Sequence, residues 1–503
     1  MTHTMWRRLP RTSPEAAGVD RAAIAKLTEQ LDLLGTHSLL VLRHGAVVAE
    51  RFWAPHTAER PHQMFSVSKT FTAMAVGLAV SEGLLTVEDR VVDLLPEAAP
   101  AEVSDKLAAM RVEHLLTMTS GHAGDLFETF DGLGDDWPRA LLAAEVVREP
   151  GSRFLYDTAA TYLLSAIITR LTGQRLLDYL TPRVLAPLGI TDATWEQDPR
   201  GIDMGGFGLS VTTEDMAAFG QLLLQRGRWG DAQLIPASWV ETAAANHVDS
   251  SVQGWGVDAS IGYGYQMWRC QPGCARADGA FGQFIVVWPE HDAVVAITSG
   301  SQRTQDQLDA VWGCLGSAFG TGQALPAPDD ADARADDAEP DADRIDRADD
   351  GADSQPLQLE LPQGVAWTAA ADLVDGRTFA LDTEVPVPEA PPGTPPFRTV
   401  TVRRDDDGIV VDVGPLRGHA RYGAWGTTTD GGVVPTTSSA YAWTDDRTLE
   451  VRVAGLGMPF VWTIRLVVAA DGASIDVAVD QNVSFGAREL VRATARRVRA
   501  TAR

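Results

Sequence analysis

The sequence contains a serine and a lysine three residues apart, Ser66 and Lys69, in a Ser-x-x-Lys segment. A serine hydroxyl is a poor nucleophile until a base removes its proton. If the segment is helical, both side chains lie on one face and the amine reaches the hydroxyl. Burial lowers the pKa of a lysine so that it accepts a proton near neutral pH, and a helix start supplies N–H groups for an oxyanion. The spacing therefore predicts a serine nucleophile with a lysine base.

Lysine is rare in this chain, which gives the pair more weight. Only three of the 42 cationic residues are lysines, and neither Lys26 nor Lys106 follows a serine at this spacing. Arginine keeps its proton and cannot act as the base. The residues after Lys69 are strongly apolar, and residues 71–80 predict a buried helix. The alternative interpretation is a helix-capping serine beside a surface lysine.

Other serine-enzyme motifs are missing from the sequence. It has no Gly-x-Ser-x-Gly segment, and the suggestive residues 119–122 lack the glycine two positions before Ser120. This argues against an α/β-hydrolase, in which that pattern presents the nucleophile on a strand-to-helix turn. We assign no role to His122, which lies in the same segment.

Further segments accompany the Ser-x-x-Lys pair, at residues 110–121, 151–158, 213–220, 262–268 and 278–283. They include Leu-Leu-Thr-Met-Thr-Ser-Gly at 115–121 and Tyr-Asp-Thr at 156–158. In this order they resemble the β-lactamase-related serine hydrolases, which comprise class C β-lactamases, D,D-peptidases and esterases. The resemblance covers residues 13–320. It implies an α/β (α+β) β-lactamase-like fold, with an antiparallel sheet, flanking helices and a helical subdomain.

The resemblance implies roles for individual residues. Tyr156 would share proton transfer with Lys69, and the N–H groups of Ser66 and Ala280 would form the oxyanion hole. A phenol whose proton is drawn off by a nearby ammonium can act as a general base. The residues implied to contact substrate are Thr158, Asp278, Gly279, Tyr265 and Phe281, with Tyr263 and Trp268 as further candidates for the pocket wall. For the aromatic residues, core packing remains the alternative.

Two positions depart from the family pattern. The Tyr-x-Asn segment ends in Thr158, and the Lys-Thr-Gly segment begins with Ala277 and continues with Asp278. In the family, that lysine helps to bind a substrate carboxylate; its loss removes a cation, and Asp278 adds repulsion if it faces the substrate. We therefore expect an ester or amide substrate, as for the family's esterases and for amidases such as 6-aminohexanoate-dimer hydrolase. A true β-lactamase or D,D-peptidase and a non-catalytic binding protein on this scaffold remain alternatives.

Composition narrows the range of partners. With 503 residues, 45% hydrophobic and 22% charged, the chain can form two or three domains and is not globally disordered. Its net charge of −26 disfavours nucleic acid. We find no apolar run of about 18 residues and no signal-type segment, so we expect no membrane partner and a cytoplasmic location. The expected partner is a small-molecule ester, amide or lactam, and the oligomeric state stays open.

The three cysteines, Cys270, Cys274 and Cys314, cannot all pair with one another, and they fit a reducing compartment. No second Cys or His pair accompanies Cys270 and Cys274 to complete a zinc site. We therefore expect no metal, and the serine mechanism requires no cofactor.

Elements that would position the candidate residues can be placed coarsely. Residues 38–42 and 46–50 predict a hairpin near the start of the chain. Apolar helices are predicted at 71–80, 161–171 and 213–226, and strands at 284–288 and 293–297. Strands at both ends with helices between them predict one sheet assembled from the two ends of a domain, residues 1–324.

Residues 325–355 predict a break in the fold. From 329 to 353 the chain has 12 acidic residues and three arginines, so we expect a disordered acidic linker. Residues 356–503 show short alternating runs that predict a small all-β accessory domain, a sandwich or a barrel. An interaction role for this domain is a further alternative for the function. Its arginine-rich end, 488–503, is expected to be a short helix or a solvated basic tail.

Overall fold

The computed structural model describes residues 9–126, 134–271, 273–319, 356–387, 394–429 and 434–498. The chain divides into two units. The first comprises Met1–Arg51, Pro61–Ser299 and Arg303–Gln355, and the second Phe52–Arg60, Gly300–Gln302 and Pro356–Arg503. The predicted linker at 325–355 lies outside the described residues. In the described ranges, no helix has the length and apolar character that crossing a membrane requires.

The first unit contains both helices and strands. Its helices are α1 (Arg21–Asp32), α2 (Ser68–Ser81), α3 (Val91–Leu94), α4 (Asp105–Ala109), α5 (Val112–Leu116), α6 (Trp137–Leu142), α7 (Thr158–Thr172), α8 (Leu176–Leu180), α9 (Thr213–Leu224), α10 (Ala237–Ala244) and α11 (Thr304–Leu315). Its strands are β1 (Thr36–Arg43), β2 (Ala46–Phe52), β3 (His62–Gln63), β4 (Thr194–Trp195), β5 (Leu209–Val211), β6 (Arg228–Trp229), β7 (Ala232–Gln233), β8 (Trp268–Cys270), β9 (Cys274–Gly279), β10 (Gln283–Trp288) and β11 (Ala293–Ser299).

A six-stranded sheet, in the order β2-β1-β11-β10-β9-β8, forms the centre of the first unit. The early strand β1 pairs antiparallel with the late strand β11, so that Leu40 lies opposite Ala296. Every residue of both strands is buried. Helix α9 covers them closely, since a Cβ on its Gly220 would come within 2.6 Å of Val294. The predicted fold, a sheet built from both ends of the domain with flanking helices, is confirmed.

Helix α2 runs through the interior of the first unit. All but the last two of its 14 residues are buried, and it contacts α7, α8 and α10. Phe71 stacks on Phe219 of α9 with ring centroids 3.6 Å apart. Trp239 of α10 donates from Nε1 to the carbonyl of Ala73 at 3.0 Å. The helix predicted at 71–80 lies within α2, whose burial on all sides explains its uniformly apolar sequence.

Side-chain caps set the starts of α7 and α9. Asp157 caps α7 by accepting from a backbone N–H of its first turn. Thr212 accepts from the N–H of Asp215 at 3.2 Å, and Asp215 accepts from the N–H of Thr212 at 2.9 Å. This reciprocal pair is a capping box. Helix α7 ends at Gly173, whose φ of 70° only glycine adopts without strain. Both helices lie where the sequence predicts them.

The second unit is dominated by strands. After a short helix, α12 (Ala369–Val374), its strands are β12 (Arg377–Val385), β13 (Phe397–Arg404), β14 (Ile409–Val413), β15 (Leu416–Tyr422), β16 (Gly426–Thr428), β17 (Thr437–Trp443), β18 (Thr448–Gly455), β19 (Val461–Val468), β20 (Ser474–Gln481) and β21 (Glu489–Arg497). They form one sheet, β15-β14-β13-β12-β21-β20-β19-β18-β17-β16, which closes because β15 also pairs parallel with β17. Phe379, Trp443 and Val451 share its core. The predicted all-β module is confirmed. Of the two expected forms, a sandwich and a barrel, the structure has the closed barrel.

The arginine-rich end of the chain forms a strand as far as it is described. Strand β21 pairs with β12 and β20. Leu490, Val491 and Ala495 are buried, whereas the arginines between and after them are exposed. The prediction of a short helix or solvated tail at 488–503 is therefore wrong for these residues. The high arginine content concealed an apolar pattern that one face of a strand buries.

Gly77 in the middle of α2 tests how tightly this helix is packed. A Cβ at Gly77 would overlap the indole ring of Trp239. We expect Gly77→Ala to lower the free energy of unfolding by about 1–3 kcal/mol, because a close-packed interior absorbs extra volume only by displacing its neighbours. Urea unfolding followed by tryptophan fluorescence measures the change.

Gly313 in α11 provides the matched control. It is exposed, and a Cβ there would meet nothing within 4 Å. Gly313→Ala should raise the free energy of unfolding by about 0.5–1 kcal/mol, because glycine loses more backbone entropy in a helix than alanine. Equal unfolding midpoints for the two variants would contradict the packing described for α2.

Candidate active site

Ser66 lies in a 3-10 turn, Phe65–Val67, directly before α2, and Lys69 is the second residue of that helix. Lys69 Nζ donates to Ser66 Oγ at 3.0 Å. Ser68 holds the turn, since its hydroxyl donates to the first carbonyl of the turn at 2.6 Å and accepts from the N–H of Leu209 at 3.2 Å. The two residues that the spacing predicted to meet are thus in contact. The serine is half-buried and the lysine is buried.

In the described part of the chain, three oxygens lie within hydrogen-bonding distance of the Lys69 amine. Besides Ser66 Oγ, they are the carbonyl of Gly206 at 2.8 Å and the hydroxyl of Thr158 at 3.4 Å. Burial lowers the pKa of Lys69 from its ordinary value to about 8, although two nearby carboxylates oppose the shift. This lysine therefore loses its proton more readily than an exposed one, as a base near neutral pH requires.

Gly206 is a site residue that no pattern in the sequence predicted. A Cβ there would come within 2.8 Å of the side chain of Thr158, so glycine allows the chain to pass this close to α7. The carbonyl of the preceding Gly205 accepts from the hydroxyl of Thr72 in α2 at 2.8 Å. The Gly-Gly pair therefore connects α2 and α7. Two adjacent glycines in the sequence could have suggested a close approach of the backbone, but only the fold shows that they lie beside Lys69.

Tyr156 lies two residues before the start of α7, next to its cap Asp157. Lys69 Nζ lies 4.8 Å from the centroid of its ring, so the amine faces the π-system. Burial raises the pKa of Tyr156 above its ordinary value, and a hydrogen bond with Ser66 offsets only part of the rise. The resemblance implied a phenol whose proton is drawn off by the ammonium. Here burial has the larger effect, and the phenol keeps its proton near neutral pH.

The end of β9 lies against the turn that carries Ser66. A Cβ on Gly279 would overlap the carbonyl oxygen of Met64, two residues before the serine, so glycine is needed for this approach. Ala280 follows Gly279 and is partly exposed. The fold thus brings the segments of Ser66 and Ala280 together, which a shared oxyanion hole would require.

Two phenylalanines beside these segments have an uncommon backbone conformation. Phe65 precedes Ser66 and Phe281 follows Ala280, and their φ values are 47° and 65°. Positive φ is costly for bulky residues and, where it persists, often marks a functional site. The two rings meet edge to face with centroids 5.4 Å apart. Phe281, predicted to contact substrate, is buried in this contact, which holds the two segments together.

Aromatic rings surround Tyr156. It stacks on Trp268 with centroids 5.6 Å apart and meets Tyr263 edge-on at 6.3 Å. Both partners are buried, whereas Trp255 is 57% exposed and approaches the Tyr156 ring at 5.3 Å. Trp255 was not predicted as a site residue, because it lies in a loop whose sequence has no periodic pattern. It presents an apolar surface to solvent directly beside Tyr156.

Tyr265 makes its ring contacts elsewhere. Its ring stacks on His247 at 4.3 Å and tilts against Trp239 of α10 at 5.5 Å. These contacts do not include the residues around Ser66, so they give no support to its predicted contact with substrate. On an irregular segment, spacing could not show that Tyr265 and Tyr263 have different surroundings.

Asp278 forms an ion pair with Arg276 that was not expected from the sequence. Nε and Nη2 of Arg276 each lie 2.9 Å from Asp278 Oδ2. Alternation along β9 places the two side chains on one face of the strand. The arginine side chain is 3% exposed and the aspartate side chain 25%, so the carboxylate is the more accessible member. The repulsion expected of an unpaired Asp278 is therefore reduced by its partner.

The segment at 119–122 supports α7 rather than carrying a nucleophile. Asp157, the cap of α7, is fully buried. His122 Nδ1 lies 2.7 Å from its Oδ2, and the Ser120 hydroxyl donates to the same oxygen at 3.1 Å. These contacts hold in place the cap that directly follows Tyr156 in the chain.

A second carboxylate, Asp125, holds the first residue of α7. Its Oδ1 accepts from the N–H of Thr158 at 2.9 Å and its Oδ2 accepts from the Thr158 hydroxyl at 3.0 Å. A carboxylate is stabilised at a helix start by the helix dipole. Thr158, predicted to contact substrate, thus connects Asp125 to Lys69. No signal in the sequence pointed to Asp125.

Comparison with known proteins identifies relatives. The family model described as Beta-lactamase matches residues 21–312. 6-Aminohexanoate-dimer hydrolase of Paenarthrobacter ureafaciens is 25% identical over 58% of this chain and 81% of its own length. Penicillin-binding protein 4 of Amycolatopsis lactamdurans is 27% identical over 52% of this chain and 78% of its own. Esterase EstB of Burkholderia gladioli is 30% identical over 36% of this chain and 53% of its own.

The matched region contains the turn of Ser66, helix α7 and strand β9, which are the elements that meet at the site. It covers more than half of the chain and includes the central sheet with its flanking helices. The chain therefore belongs to the beta-lactamase family of serine hydrolases.

Proposed function

We propose that this protein cleaves an ester or amide through a covalent acyl-enzyme on Ser66. The observation that carries the proposal is the 3.0 Å contact between Lys69 Nζ and Ser66 Oγ. The lysine is buried, and its pKa is lowered to about 8. Such an amine can take the hydroxyl proton as the oxygen attacks a carbonyl carbon. A surface lysine beside a capping serine, the alternative from sequence, would keep its ordinary pKa.

The reaction has two halves. In the first, Ser66 Oγ attacks the carbonyl carbon, its proton passes to Lys69, and the N–H groups of Ser66 and Ala280 stabilise the oxyanion. The bond to the leaving alcohol or amine breaks as Lys69 returns the proton, while Tyr156 donates a hydrogen bond to the leaving atom. In the second half, water attacks the acyl-enzyme by the same route and releases the acid.

The charges beside the site favour a substrate without a carboxylate. Ala277 occupies the position of the family lysine, and the cation on this strand, Arg276, is buried and paired with Asp278. A substrate carboxylate would meet the more exposed carboxylate of that pair. The exposed ring of Trp255 offers an apolar contact instead. We therefore propose a neutral ester or amide, and the name of one relative, Esterase EstB, agrees with an ester.

A true β-lactamase or D,D-peptidase is the second candidate, and the similarity to penicillin-binding protein 4 favours it. Turnover of nitrocefin at a rate comparable to that of short-chain p-nitrophenyl esters would support it over our proposal. A non-catalytic binding protein on this scaffold is the third candidate. It has no need of a lysine with a lowered pKa beside a serine.

Intact-mass spectrometry after incubation with an ester, an amide and a β-lactam tests the nucleophile and the substrate class together. We expect an acyl adduct on the native chain and none on Ser66→Ala, with turnover reduced roughly a thousandfold or more. Ser81→Ala is the matched control, since this serine ends the same helix and its hydroxyl donates to the carbonyl of Leu78. An adduct of equal yield on Ser66→Ala would exclude the proposal.

The pH dependence tests the role of Lys69. Because its pKa is about 8 and the base must be neutral, about a tenth of the molecules are competent at pH 7 and about nine tenths at pH 9. We expect kcat/KM for a neutral ester to rise with pH through a midpoint near 8. Lys69→Arg should abolish this activity, whereas Lys106→Arg, outside the site, should keep the profile. A profile that falls between pH 7 and 9 would exclude neutral Lys69 as the base.

Asp278 tests the preference for neutral substrates. Asp278→Asn removes the carboxylate that pairs with Arg276 and so makes this part of the site less negative. We expect kcat/KM for a p-nitrophenyl ester bearing a carboxylate to rise about tenfold relative to its carboxamide analogue. Asp306→Asn, which breaks an exposed pair with Arg303, should leave this ratio unchanged. An unchanged ratio in Asp278→Asn would refute the electrostatic selection.

A further inference from the structure

We infer that Asp125 is a positioning residue, which fixes the direction of the Thr158 hydroxyl proton and thereby aims the lone pair of Lys69 at Ser66. The inference rests on the proposed function, because it concerns Lys69 as a base. It goes beyond that function by assigning a role to a carboxylate that does not touch the reacting atoms. Its basis is the arrangement of donors and acceptors around one amine.

Asp125 holds Thr158 at two points. The backbone N–H of Thr158 donates to Oδ1 at 2.9 Å, and its hydroxyl donates to Oδ2 at 3.0 Å. An ionised carboxylate can only accept hydrogen bonds, and a threonine hydroxyl has a single proton to donate. With that proton directed to Asp125, the oxygen of Thr158 can act only as an acceptor towards Lys69, which lies 3.4 Å away.

This restriction decides where the lone pair of Lys69 points. A neutral amine has two N–H donors and one lone pair. The carbonyl of Gly206, 2.8 Å from Nζ, can only accept, and Thr158 is held as an acceptor. The two N–H groups are directed to these oxygens, so the lone pair is left for the hydroxyl proton of Ser66 at 3.0 Å. If the Thr158 proton faced Lys69 instead, it would compete for that lone pair.

The role of Asp125 follows from the departure at position 158. An asparagine there would carry its acceptor and its donors on separate atoms, so its carbonyl oxygen could face Lys69 while its NH2 group donates to Asp125. A threonine hydroxyl can donate or accept. It therefore requires a neighbour that takes its proton, and Asp125 is that neighbour in this chain.

Asp125→Asn tests the inference with little change in shape. The amide oxygen is needed by the backbone N–H of Thr158, so the NH2 group would face the hydroxyl and turn its proton towards Lys69. We expect kcat on the high-pH plateau to fall about a hundredfold with KM nearly unchanged. Adding Thr158→Val removes the competing proton and should recover part of the loss. An unchanged plateau in Asp125→Asn, or a double variant no better than Asp125→Asn, would overturn the inference.

The charge of Asp125 has a separate effect that the pH profile resolves. Among the described residues, the titratable groups facing Lys69 are Asp125, Asp157 and Tyr156, and both carboxylates raise the pKa of the amine. Asp125→Asn should therefore also move the midpoint to lower pH. A change in midpoint reports the lost charge, whereas a lower plateau reports the misdirected lone pair, and a merely structural role would not produce both.

A second pair of variants keeps Asp125 and so does not depend on the folding of Asp125→Asn. Thr158→Asn supplies a fixed acceptor and should keep a plateau within about threefold of the native value, whereas Thr158→Val supplies none and should lose about tenfold. Equal plateaus for the two would overturn the inference. Mass detection of the acyl-enzyme on the native chain separates the outcomes. Without an adduct the proposed function fails, and with one only the role of Asp125 is in question.

Discussion

The site depends on one primary amine that is kept away from water. Burial makes the charged form of Lys69 costly and lowers its pKa to about 8. The amine is tolerated there because each of its three hydrogen-bonding directions meets an oxygen, on Ser66, Thr158 and Gly206. Lys69 belongs to helix α2, which is buried along nearly its whole length. An exposed lysine at the same spacing would keep its proton, and the serine would have no base.

Close approaches of the backbone hold this arrangement. Gly206 and Gly279 each stand where a Cβ would press on a neighbour, on the side chain of Thr158 in one case and on a carbonyl oxygen in the other. Phe65 and Phe281 take up positive φ beside the nucleophile and beside Ala280. Such positions persist only where the surrounding packing stabilises them. The precision of the site thus comes from the sheet and helices that surround it.

The charges around the site differ from the family pattern at two positions. Thr158 replaces an asparagine, and the carboxylate of Asp125 binds it at two points. Ala277 replaces a lysine, and the cation on that strand is instead the buried Arg276, paired with Asp278. Each replacement lies beside a charged residue. The site therefore has its own balance of charges. Burial lowers the pKa of Lys69 by more than the carboxylates of Asp125 and Asp157 raise it.

The sequence by itself determined the features that are local along the chain. The spacing of Ser66 and Lys69 predicted their contact, because residues three apart on a helix share a face. Apolar periodicity predicted the helices and strands of the sheet domain, and alternation predicted the all-β module, although the arginine content concealed β21. Only the tertiary structure decided which distant residues complete the site: Asp125, Gly206, Trp255 and Arg276. These contacts join segments far apart along the chain, and the burial that lowers the pKa of Lys69 comes from tertiary packing that no local pattern records.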